Sequence, residues 1–251
     1  MATGSSITCT RGAVRILSLN AMLTLYHHPF CPFSRFVRLA LSEYGLSPRF
    51  VEERPWERRT EFLTLNPAGT TPVLLEEGRP PVSDAGVIAE FLDETKGADL
   101  HEHRLMPPDI NGRIEVRRLM AWFNQKFAEE VSTPLVGERI FKRYMSGAQG
   151  GGSPDMNAIR ASLSNIRYHL AYIGWLVRTR DWLAGPRMTY ADLAAAAHLS
   201  SIDYLGDVPW NEDEAAKVWY ARVKSRPSFR PLLAEIHAGL PPSKTYADLD
   251  F

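Results

Sequence analysis

The spacing of apolar residues near the start of the chain predicts a strand, a turn and a helix in succession. A short strand over 23–26 is followed by a turn that contains Pro29 and Pro32. Beyond the turn, apolar residues recur at intervals of three and four, as they do on the buried side of a helix. Those residues are Phe33, Phe36, Val37, Ala40, Leu41 and Tyr44. Gly45 then supplies the helix stop.

Further strands and helices complete this part of the chain. Strands are predicted over 49–52 and 72–75, and a short polar helix that ends near Leu65 lies between them. A third helix begins at Ser83 or Asp84, since either residue can cap it. The order is therefore strand, helix, strand, helix, hairpin, helix, which favours a thioredoxin-like α+β domain.

The rest of the chain has only helical spacing. Apolar residues recur every three or four positions in a long helix from about Asp109 and again over 156–177. Gly174 inside the second helix predicts close packing against a neighbour. Thr189 and Asp192 have the spacing of a capping box ahead of an apolar helix, so we assign them a structural role as its N-terminal cap.

These patterns divide the chain into four segments. A thioredoxin-like domain is expected over 22–97, an all-helical domain over 98–240, and a C-terminal tail over 241–251. Residues 1–21 are rich in Ser and Thr and contain no acidic residue. We interpret them as a leader or an extended start that is disordered and does not belong to the fold.

Composition and charge reduce the number of possible functions. The 29 basic and 29 acidic residues balance and no basic stripe stands out, which disfavours nucleic acid as a partner. No apolar run approaches membrane-spanning length, so we expect a cytoplasmic protein without direct membrane insertion. No metal site is expected either, because His101 and His103 have no cysteine or acidic ligands nearby and are predicted to be exposed to solvent.

Cys31 has the most evident chemistry of any residue in the chain. It lies in the turn just before the first helix, where backbone N–H groups favour a thiolate. Ser34 stands where a Cys-x-x-Cys motif would have its second cysteine, so no internal disulfide can form there. Cys31 is therefore either a reactive thiol or a small residue that fills the corner between strand and helix.

Three motifs in this order resemble the glutathione S-transferase family. They are Cys-Pro-Phe-Ser-Arg at 31–35, Asn-Pro-Ala-Gly-Thr-Thr-Pro-Val-Leu at 66–74 and Ser-Asp-Ala-Gly-Val-Ile-Ala-Glu-Phe-Leu at 83–92. The resemblance implies that family's fold, an α+β thioredoxin-like N-terminal domain followed by an all-α C-terminal domain. It also implies a cleft in which the main chain of Thr71, just before Pro72, pairs with the backbone of glutathione.

The same alignment indicates a degenerate glutathione site. Family members bind the γ-glutamyl carboxylate with an acidic or amide residue followed by serine, and this chain has Asp84 and Ala85 there. Losing a hydrogen bond to a charged group costs about 1.5–3 kcal/mol. We therefore expect no glutathione cofactor. The residues of the degenerate cleft are Cys31, Ser34, Thr71, Pro72, Asp84 and Ala85.

Within the family, the chain is similar to bacterial cell-division members that bind the tubulin homologue FtsZ. This similarity implies a non-catalytic homodimer at the division site that organises FtsZ filaments and promotes septal wall synthesis. The candidate contacts are Trp56, Arg58 and Arg59 for the filament, and Asp248 and Asp250 in the tail for the septal wall-synthesis machinery. The alternative is a glutathione-dependent thiol transferase that uses Cys31.

Overall fold

A small mixed sheet forms the centre of the N-terminal part in the computed structural model, which describes residues 22–249. Its strands are β1 (Leu23–His27), β2 (Arg49–Glu52), β3 (Val73–Glu76) and β4 (Val82–Ser83), in the order β2-β1-β3-β4. β1 runs parallel to β2, whereas β3 runs antiparallel to β1 and β4. The Thr71–Pro72 peptide bond before β3 is cis. This is the predicted thioredoxin-like arrangement, and the fold prediction is confirmed.

Three helices accompany the sheet in this part of the chain. They are α1 (Pro32–Glu43), α2 (Thr60–Leu65) and α3 (Ala85–Lys96). The predicted apolar side of α1 is buried, with Phe36 and Val37 almost fully excluded from solvent. Arg35 and Arg38 on the same helix are buried as well, and apolar spacing gave no indication of this.

The C-terminal part consists of helices. They are α4 (Ile110–Ala121), α5 (Thr133–Val136), α6 (Lys142–Tyr144), α7 (Met156–Thr179), α8 (Tyr190–Asp203), α9 (Glu214–Lys224) and α10 (Arg230–Leu233). α4, α5 and α6 form one rod over 110–144, because π-helical segments at Trp122–Ser132 and Gly137–Phe141 join them. α8 is buried along its whole length and forms the centre of the core. None of the helices in 22–249 has the length and apolarity needed to cross a membrane.

The predicted capping box is present at the start of α8. The Thr189 hydroxyl accepts a hydrogen bond from the Ala191 amide at 3.3 Å, and the Asp192 carboxylate accepts one from the Thr189 amide at 2.9 Å. These side chains accept hydrogen bonds from amides that have no partner within the helix. This end of α8 can therefore be buried without leaving those amides unpaired.

Gly174 on α7 lies against the start of α9, as its position in the apolar pattern predicted. A Cβ atom there would lie 2.2 Å from both carboxylate oxygens of Asp213, which caps α9 and binds Arg178. We expect Gly174→Ala to lower the free energy of unfolding by about 1–3 kcal/mol through overpacking, measured by urea denaturation. Gly137→Ala is the control, because a Cβ at Gly137 meets no atom within 4 Å. Equal stability of the two variants would contradict the prediction.

Candidate functional site

The structure brings four of the predicted cleft residues together around the turn between β1 and α1. Cys31 is the N-cap residue of α1, is 8% exposed, and directs its Sγ to the carbonyl oxygen of Thr71 at 3.6 Å. Pro72 follows Thr71 through the cis bond, and the Ser34 hydroxyl accepts from the His28 amide at 3.3 Å. The Cys31 thiol is therefore held at the start of α1 by a hydrogen bond to the main chain of Thr71.

The other two predicted residues, Asp84 and Ala85, lie at the start of α3, where they line a cavity together with Phe33 of α1. The Asp84 carboxylate accepts from the Gly86 amide at 2.7 Å and from the Val87 amide at 3.2 Å. The first amides of α3 are thus already bound by a carboxylate of the protein. The Ala85 methyl group is buried and offers no hydrogen bond. A ligand carboxylate placed here would meet the negative charge of Asp84 without compensation from a serine hydroxyl.

A cluster of aromatic rings occupies the space beside the turn, between the two domains. The His28 ring lies 5.3 Å from Trp56 and 4.8 Å from Phe141, and Trp56 lies 5.2 Å from Phe141, all between ring centroids. Trp56 is therefore half-buried, with one part of its ring packed inside the protein and the rest on the surface. The sequence did not predict that His28 and Phe141 belong to the site, because neither residue is part of a motif and their contact is long-range.

The two arginines predicted to contact a filament have different surroundings. Arg58 is exposed, has a left-handed backbone conformation with φ of 46°, and makes no ion pair with any residue of 22–249. Arg59 donates to the buried carboxylate of Glu53, with Nη2 at 2.6 Å from Oε2. Removing Arg59 would leave Glu53 without this partner, so Arg58 is the better position at which to test a surface role.

The C-terminal tail folds back along the second domain. Tyr246 is fully buried, and the buried Lys224 ammonium donates to the backbone carbonyls of Thr245 and Asp248 at 3.0 and 2.7 Å. Asp248 itself is exposed at the surface. Asp250 and the leader over 1–21 lie outside the described residues.

Within 22–249, no group of three or more His, Cys, Asp and Glu side chains is placed so that it could hold a metal ion. His101 and His103 are exposed, as predicted. The expectation that the protein binds no metal remains a prediction.

The buried His28 gives the stability of the fold a dependence on pH. Burial, assisted by the nearby positive charge of Arg54, lowers the pKa of His28 to about 3. The unfolded chain takes up this proton near pH 6.5, so the contribution of His28 is complete above that pH and is lost on acidification. Between pH 6.5 and 5 the loss amounts to about 2 kcal/mol.

His28→Gln is expected to remove this dependence, because glutamine does not titrate. Urea denaturation between pH 7 and 5 measures the free energy of unfolding of both proteins. As the pH falls, this free energy should decrease less steeply for the variant, and the difference between the two slopes should correspond to about one proton. Parallel pH profiles for the two proteins would contradict a neutral buried His28.

Known proteins are similar to this chain in both sequence and structure. A family profile described as "Glutathione S-transferase, N-terminal domain" matches residues 30–95. "FtsZ-localized protein A" from Caulobacter vibrioides is 47% identical over 231 residues, which are 91% of this chain and 98% of that protein.

Two solved structures extend this similarity to three dimensions. A glutathione S-transferase from Sinorhizobium meliloti has a TM-score of 0.90 and 55% identity, over 92% of this chain and 100% of that one. FzlA from C. crescentus has a TM-score of 0.83 and 46% identity, with the same coverage. With the cis-proline cleft and the core helix α8 in place, the chain belongs to the glutathione S-transferase family.

Proposed function

We propose that this protein is a non-catalytic member of its family that binds and organises FtsZ filaments at the division site in the cytoplasm. In this role it promotes septal wall synthesis and constriction. One observation carries the proposal: the 47% identity to FtsZ-localized protein A extends over nearly the whole of both chains. Similarity of that extent covers the surface as well as the core, and the surface is where partners bind.

The geometry of the cleft supports a role without transferase chemistry. Asp84 already occupies the amides at the start of α3, and Ala85 supplies no hydroxyl. Cys31 spends its S–H on the Thr71 carbonyl. The contacts of Asp84 and the missing hydroxyl at Ala85 oppose the binding of the γ-glutamyl carboxylate of glutathione.

An exposed apolar surface supports the homodimer. Val87 on α3 is 55% exposed, and Ile110 and Ile114 on α4 are 72% and 57% exposed. Ile110 and Ile114 are one helical turn apart, so they lie on the same side of α4. We propose that a second copy of the chain covers these side chains. A dimer presents two filament-binding surfaces and can hold neighbouring filaments together.

A thiol transferase remains the second candidate, favoured by the position of Cys31 at the start of α1. The two functions predict opposite results on one preparation. The filament-binding protein gives no heat of glutathione binding in calorimetry and pellets with FtsZ polymer. The transferase binds glutathione and loses its activity in Cys31→Ala. With oxidised glutathione it exchanges at Cys31, which releases one reduced glutathione and leaves a mixed disulfide that is visible by mass spectrometry.

A further inference from the structure

Tyr246 is the residue that fixes the C-terminal tail inside the protein. Its ring lies among Phe30, Tyr204 and Leu240, with its centroid 5.0 Å from that of Tyr204. Its hydroxyl donates to the carbonyl of Leu232 at 3.2 Å. The buried Lys224 binds the carbonyls of Thr245 and Asp248 on either side of it. Earlier in the tail, the amide and hydroxyl of Ser243 donate to the carbonyls of Tyr204 and Asp203, both at 2.8 Å. Beyond Ser243, the tail is held by the ring of Tyr246 and the ammonium group of Lys224.

The same hydroxyl accepts a hydrogen bond from the guanidinium of Arg35 on α1. Arg35 is fully buried, and its Nη1 lies 2.9 Å from the Tyr246 hydroxyl and 3.0 Å from that of Ser200. No carboxylate of 22–249 lies within ion-pair distance of Arg35, and Nη2 has no hydrogen-bond partner among those residues. The guanidinium also lies over the rings of Phe30, Tyr204 and Tyr246, at 5.7, 5.8 and 5.9 Å from their centroids. These rings supply no lone pair along the N–H bonds, so the position of the buried cation depends on each hydrogen-bond acceptor that it has.

Arg35 in turn holds the loop between β1 and α1. Its Nε donates to the carbonyl of Pro29 at 2.7 Å. The residue before Pro29 is His28, whose ring packs on Trp56 and Phe141. An unbroken series of contacts therefore runs from the tail to Trp56, through Tyr246, Arg35 and the loop.

We propose that Tyr246 is a positioning residue, and that through Arg35 and the loop it links the tail to the surface around Trp56 and Arg58. This inference rests on the proposed function, which assigns one partner to that surface and another to the tail. A partner that draws residues 245–248 away from the core removes the hydroxyl from Arg35 and loosens the loop beneath Trp56. The two partner sites are thereby coupled without touching one another.

The test is hydrogen exchange on the full chain with Tyr246→Phe, which removes the hydroxyl and keeps the ring. Exchange at 28–31 and 54–58 should accelerate about tenfold or more, because a hydrogen bond to a charged group is worth about that factor. Tyr168→Phe is the matched control, since it removes a hydroxyl from an exposed tyrosine on α7. Hydrogen exchange at 28–31 and 54–58 in Tyr168→Phe should be the same as in the wild type.

Two outcomes would overturn the proposal. Unchanged exchange at both segments in Tyr246→Phe would show that the hydroxyl does not position the loop. Equal acceleration along the whole of α7 would show general loss of stability instead of a specific link. The exchange experiment contains no FtsZ and is therefore independent of filament binding. If Trp56→Ala does not weaken filament binding, the proposed filament-binding surface is refuted, but the exchange result still tests the link between tail and loop.

Discussion

Asp192→Ala is expected to lower the free energy of unfolding by about 3–5 kcal/mol, the largest effect of any single change considered. The Asp192 carboxylate is fully buried. It accepts from the backbone amides of Leu183 at 3.0 Å and Thr189 at 2.9 Å, and from the indole of Trp219 at 2.9 Å. The Thr189 hydroxyl donates to it as well, at 3.1 Å, and alanine would leave all four donors buried without this acceptor. One side chain thus joins the loop before α8, the start of α8, and α9.

Urea denaturation at pH 7 measures the free energy of unfolding of Asp192→Ala, and Thr189→Ala is the variant with which it is compared. Thr189 belongs to the same cap but contributes a single hydroxyl, so its loss should cost about 1 kcal/mol. If Asp192→Ala is no less stable than Thr189→Ala, then Asp192 acts only as a local cap and does not connect the two helices.

Trp56→Ala is expected to weaken binding to FtsZ filaments about thirtyfold or more, the size of effect found when a central interface tryptophan is removed. The exposed part of the ring is available to a partner, while the buried part fixes its orientation against His28 and Phe141. Arg58→Glu should weaken the same interaction in a salt-dependent way, because Arg58 has no partner of its own in 22–249.

Co-sedimentation over a range of FtsZ concentrations measures both variants. Trp56→Phe is the control, since phenylalanine retains an aromatic ring to pack on Phe141. It should bind more tightly than Trp56→Ala. Filament binding by Trp56→Ala that equals the wild type would place the contact elsewhere on the protein.

Local sequence signals predicted those features of the structure that depend on neighbours in the chain. The capping box at Thr189 and Asp192 and the capping of α3 by Asp84 both follow from spacing or residue type. Each depends mainly on backbone geometry within a few residues, and such geometry restricts which side chains are possible.

Features that depend on distant partners could not be predicted in this way. Arg35 occupies a helical position that looks polar, and it can be buried because Ser200 of the helical domain and Tyr246 of the tail accept hydrogen bonds from it. The pairing of Arg59 with Glu53 was hidden because nothing in the sequence shows that Glu53 is buried. In the candidate site, the residue types were therefore predictable, while the contacts that restrain them were not.

Co-sedimentation of the wild-type chain with FtsZ tests the central claim most directly. FtsZ is assembled with GTP at low salt and centrifuged with the chain, and unassembled FtsZ with GDP serves as the control. We predict that the chain pellets in proportion to FtsZ polymer and remains in the supernatant with GDP. A chain that stays in the supernatant with GTP-assembled polymer would contradict the account.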